Sequence, residues 1–163
     1  MANTDVKLRR TETILDELER LREAIGQRAY DVFQARGPWG DALADWLTAE
    51  HELVWKPAVA LREKDGRFEV LAALPGVDAR DLDVRITPDD LLIQADVRHE
   101  HTEDKGTVHL CEFEEGRLFR SVHFPRKVDP ESVKTEYRNG MLHLTAAVAK
   151  GASTPQKVDI KAA

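Results

Sequence analysis

The chain has 163 residues, a net charge of −6 and one cysteine, with 42% apolar and 33% charged residues. This length holds one domain of ordinary size with an appendage, and the acidity, with no run of Lys or Arg, excludes a nucleic-acid or anionic-lipid footprint. A lone cysteine excludes an intrachain disulfide framework; with no apolar run near the roughly 18 residues of a membrane span and no signal-peptide core, a cytoplasmic location is expected.

From about Asp5 to Ala35 the apolar positions Ile14, Leu18, Leu21 and Ile25 recur at spacings of four, three and four. This predicts one amphipathic helix, weakened at Gly26 and stopped at Gly37-Pro38. A second helix is predicted from Asp41, a suitable N-cap, to about Leu53.

After Trp55 the period changes to two. Phe68, Val70, Ala72 and Leu74 alternate with charged or small residues up to Pro75-Gly76. The same alternation marks Leu82–Ile86, Leu91–Val97, Leu118–Phe124, Val133–Tyr137 and Leu142–Val148, with turn signals at Thr87-Pro88-Asp89-Asp90 and Asn139-Gly140. Short half-buried strands without helices between them define a mainly β fold, an immunoglobulin-like antiparallel β-sandwich. Three regions are expected: helical residues 1–54, a sandwich over 55–150, and a flexible extension over 151–163.

The residues Leu74-Pro75-Gly76-Val77, the run Gly116, Leu118, Arg120, Phe124-Pro125, then Val128-Asp129-Pro130 and Asn139-Gly140-Met141-Leu142 stand in this order. Together they resemble the α-crystallin domain of the small heat-shock proteins over about residues 55–150. The resemblance implies an ATP-independent holdase that binds partially unfolded clients. It also implies that Val158 and Ile160 form a tail motif docking on a neighbouring copy, in a groove between Leu82, Val84, Ile86 and Val133, Thr135, Tyr137. An extended segment puts both tail side chains on one face. Burying both contributes about 3–6 kcal/mol gross, most of it consumed by ordering and lost translational freedom, so single tails bind weakly and many bind collectively. The family ends its last strand in Val-Pro-Lys, whereas this chain has Val148-Ala149-Lys150, which loosens the exit of the tail. By the same resemblance the polar stretch 98–108 exchanges a strand within a dimer, and Glu112 and Arg120 pair at the dimer interface.

The stretch from Ile25 to Leu53 resembles a small bacterial helical module of unknown function. Its aromatics Tyr30, Phe33, Trp39 and Trp46 are candidates for client contact, or for packing the helices together or onto the sandwich. No nucleophile elbow, phosphate loop or His-Glu-x-x-His motif is present, so no enzyme and no cofactor are expected. His99, His101, Asp104, His109 and Cys111 match no closed zinc site, and none is assigned to a metal. Cys111 is expected on a strand, and His123 and His143 are expected to face solvent. The competing reading is a non-catalytic adaptor, a co-chaperone-like docking module with one specific protein partner.

Overall fold

The computed structural model describes residues 6–98, 106–113 and 116–151. The first element departs from expectation. Residues Lys7–Arg10 form a strand, β1, and the helix α1 spans only Leu15–Arg36. Val6 and Leu8 alternate with cations at the strand period of two, and the Thr13 hydroxyl accepts a hydrogen bond from the Leu15 N–H (3.1 Å) at the helix start. The second helix, α2, spans Ala42–Leu53, and its N-cap is Asp41, whose carboxylate accepts from the Leu43 N–H (3.0 Å).

The strands that follow are β2 (Val54–Trp55), β3 (Val59–Lys64), β4 (Arg67–Ala73), β5 (Leu82–Ile86), β6 (Asp90–Val97), β7 (Gly116–His123), β8 (Lys134–Arg138) and β9 (Met141–Ala147). They build two sheets, in the orders β1-β5-β6-β7-β2 and β3-β4-β9-β8. Their pairings are antiparallel except at the two ends of the first sheet, where β1 runs parallel to β5 and β2 parallel to β7. The two helices are therefore flanked in sequence by strands of the first sheet, β1 before them and β2 after.

The alternating residues read from the sequence form the inter-sheet core. Phe68, Val70, Leu82, Val84, Ile86, Leu91, Ile93, Leu118, Phe124, Leu142 and Leu144 are all buried in one cluster. Phe68 and Phe124 meet with ring centroids 5.5 Å apart. The β8–β9 hairpin turns at Asn139-Gly140, both at positive φ, as a tight two-residue turn requires.

A second apolar cluster covers the outer face of the first sheet. Ile14 at the N-cap of α1, Leu21 and Ile25 within it and Ala49 from α2 pack there with Val54, Leu92 and Phe119. This explains why β6 is buried continuously from Leu91 to Ala95 rather than alternately. Gly26 sits inside α1, and a Cβ built on it would meet the Trp46 ring at 3.6 Å, so the small residue marks where the helices approach closely. The buried Asp45 carboxylate holds Arg36 through both of its oxygens, fastening the end of α1 to the start of α2.

Candidate functional site

The free edge of β5 is where the sequence places a groove, and in this chain that edge carries β1. Leu8 stands opposite Val84 and Arg10 opposite Ile86, and the Thr11 N–H donates to the Ile86 carbonyl (3.0 Å). Val6 and Leu8 pack against the main core. On the same face of the strand, Arg10 Nε donates to the Pro130 carbonyl (2.9 Å) and lies 3.4 Å from Glu131, on the turn leading into β8. β1 therefore spans from the edge of one sheet toward the edge of the other. Leu82, Val84, Ile86 and Val133 are buried, while Thr135 and Tyr137 are half-buried.

Tyr137 ties three of the sequence signals together. Its hydroxyl lies 2.9 Å from the Leu74 carbonyl and 2.7 Å from that of Val77, and donates its one proton between them. The Leu74 N–H donates to the Gly140 carbonyl (2.7 Å). The Leu-Pro-Gly-Val turn is thus anchored on the hairpin that closes the fold. Burial, with a smaller push from Asp78, raises the Tyr137 phenol above its ordinary value.

On the opposite side of β5 lies a charge cluster that periodicity does not reveal. Glu17 of α1 is only 5% exposed, and its Oε1 lies 3.0 Å from Arg85 and 3.2 Å from Arg20, with Arg117 at 3.8 Å from Oε2. Arg85 also pairs with Asp83, which accepts from Gln94 Nε2 (3.2 Å) and lies 3.6 Å from Arg9 of β1. One network joins β1, α1 and the face of the first sheet. No sequence rule singles out Glu17 among the acids of α1, because its partners come from distant strands.

Large apolar side chains are exposed on the helical region and at Val108, Leu110 and Phe113 ahead of β7. Tyr30 and Phe33 stack with centroids 6.3 Å apart, and the Arg36 guanidinium lies 5.8 Å from the Phe33 ring centre. Trp39 is 86% exposed, and Leu43 and Leu47 are exposed beside it in sequence on α2. Trp46 differs from the other three candidate aromatics: it is partly buried against the second cluster.

Glu112 is exposed and Arg120 half-buried, and no ion pair joins them among the described residues. The Arg120 Nε is buried and finds no hydrogen-bond partner among those residues. Cys111 is exposed in irregular chain rather than on a strand, because β7 begins only at Gly116. His143 is exposed, as is His123, whose Nδ1 lies 2.9 Å from Asp90. His99, His101, Asp104 and most of stretch 98–108 lie outside the described residues, as do Val158 and Ile160. Among the described residues no cluster of His, Cys, Asp and Glu has the makings of a metal site, and no helix is long and apolar enough to cross a membrane.

Two packed sheets with helices covering the outer face of the first define a class of β-sandwich domains. The sequence profile of the Hsp20/alpha crystallin family matches residues 60–161, and the chain belongs to that family, one of non-enzymatic chaperones. It is 36% identical over 99 residues to the alpha-crystallin of Mycobacterium tuberculosis, a match spanning 60% of this chain and 66% of that protein. It is 25% identical over 105 residues to small heat shock protein C2 of Rickettsia felis, spanning 64% and 68% of the two chains. Heat shock protein 16.0 from Schizosaccharomyces pombe superposes with a TM-score of 0.56 at 25% identity, over 66% of this chain and 99% of that structure.

Proposed function

We propose that this protein is an ATP-independent holdase of the cytoplasm that binds partially unfolded proteins and limits their aggregation. The observation that carries the reading is the exposure of the large apolar side chains Tyr30, Phe33, Trp39, Leu43 and Leu47 on a chain of this family. Flat aromatic faces accept many partners without demanding one shape, which suits clients that share only exposed apolar surface. Self-association belongs to the same reading. The stretch 98–108 exchanges a strand between two copies, and Arg120, whose Nε is buried without a hydrogen-bond partner among the described residues, meets Glu112 there. Larger assemblies form through Val158 and Ile160. Neither nucleic acid nor a membrane is a partner on this reading.

The test is light scattering from a heat-labile protein at its aggregating temperature, without nucleotide, with the full chain and with a form ending at Lys150. The full chain is expected to suppress scattering near stoichiometric amounts, and the shortened form to make smaller particles. Unchanged scattering at several-fold excess overturns the reading and points to a dedicated partner for the helices.

A further inference from the structure

The strip of sheet edge along β5 already holds an extended segment, and that segment shows what fits there. β1 presents Val6 and Leu8, two aliphatics at spacing two, to the core, with Lys7 between them and Arg9 and Arg10 following. The other end of the chain repeats the pattern: Val158 and Ile160 at spacing two, with Asp159 between them and Lys161 following. An edge strand takes any segment whose alternate side chains fill the same positions, since the backbone bonds are indifferent to sequence.

We propose that the β5 edge has two rival occupants encoded in the same chain: its own Val6–Arg10, and the Val158–Ile160 tail of a second copy. This rests on the tail-mediated assembly put forward above. Release of β1 is then the step that admits a neighbour's tail. The resident segment has two advantages. It is tethered to the domain, so its effective concentration exceeds that of any tail in solution. It also brings two cations, Arg9 and Arg10, to Asp83 and Glu131, where the tail brings only Lys161 after its second aliphatic. A ligand that binds only the open state loses apparent affinity in proportion to how rarely that state is populated.

The experiment follows a fluorescent peptide of residues 154–163 by anisotropy. The receptor is the full chain carrying Ile160→Asp, so that its own tail does not compete. Adding Leu8→Asp to that chain is expected to tighten peptide binding about tenfold, the gain for opening an edge previously free about one-tenth of the time. The gentler pair Arg9→Ala and Arg10→Ala, which leaves the core untouched, is expected to tighten it severalfold, and a peptide with both aliphatics changed to Asp is expected not to bind. Equal affinity for the parent and both variants overturns the proposal, as does absence of binding to every form. Suppression of client aggregation by the unaltered chain is a separate readout. A chain that suppresses aggregation while its peptide affinity ignores Leu8 refutes only the rivalry, and the converse result refutes only the holdase reading.

Discussion

Glu17 of α1 and Arg85 of β5 form a buried pair at 3.0 Å that fastens the helical region to the face of the first sheet. Glu17 faces Arg85, Arg117 and Arg20 at that contact, and Arg85 divides its guanidinium between Glu17 and Asp83. Glu17→Ala takes from Arg117 its ion partner among the described residues and leaves Arg85 to Asp83 alone, and is expected to cost about 1–3 kcal/mol. Arg20→Ala removes an exposed cation and is expected to cost no more than about 0.5 kcal/mol. Urea unfolding of both variants checks the contrast, and equal midpoints would refute the latch.

Tyr137→Phe removes the hydroxyl that bridges to the Leu74 and Val77 carbonyls and is expected to cost about 0.5–1.5 kcal/mol at neutral pH. The folded chain raises the phenol above its ordinary value. The stabilisation is therefore fully present below the unfolded value of about 10 and is lost as pH rises through the folded one. The stability gap between parent and variant should hold near pH 7 and shrink in alkali. A gap that widens there contradicts the assignment.

Among the candidate aromatics, exposure separates two roles. Trp39→Ser changes a side chain that is 86% exposed, so the expected result is weaker suppression of client aggregation at an unchanged melting temperature. Trp46→Ala opens space between the helices beside Gly26 and is expected to lower stability by more than about 1 kcal/mol. Calorimetry alongside scattering distinguishes the two.

Arg120→Ala is expected to weaken the dimer more than Arg117→Ala does, since Arg117 is directed within its own chain at Glu17. Sedimentation across a dilution series measures both dissociation constants, and identical values would remove Arg120 from the interface.

How much of this was legible in the sequence depends on where each signal's cause lies. Alternation at Phe68, Val84, Leu118 and Leu144 reports a face buried against the other sheet, and those residues are core. Periodicity failed where two causes overlapped. Leu92 and Phe119 sit on the face opposite the inter-sheet core, which a period of two assigns to solvent, yet α1 and α2 cover them; the apolar triplet Leu91-Leu92-Ile93 is the available hint. β3 escaped notice although Asp65-Gly66, both at positive φ, signals a hairpin between it and β4. The helical stripe beginning at Ile14 was extended backward across Lys7–Arg10, whose partner β5 is too distant in sequence for any window to include. The family likeness points to Leu82, Val84 and Ile86 as one wall of a groove, but not to β1 lying along that edge.

The parallel seating of Lys7 against Asp83 also orders events in time. Val6–Arg10 is synthesised well before Leu82–Ile86, the strand it will pair with. The helical hairpin closes through near neighbours and forms early, whereas β1 waits for a contact of high sequence separation, which loop-closure entropy makes slow. During that interval the segment can also meet a strand edge on an adjacent nascent chain, with tethering favouring its own. Chains growing side by side on one message can therefore exchange this strand before either has folded, so occupancy of the β5 edge depends on the history of synthesis as well as on affinity.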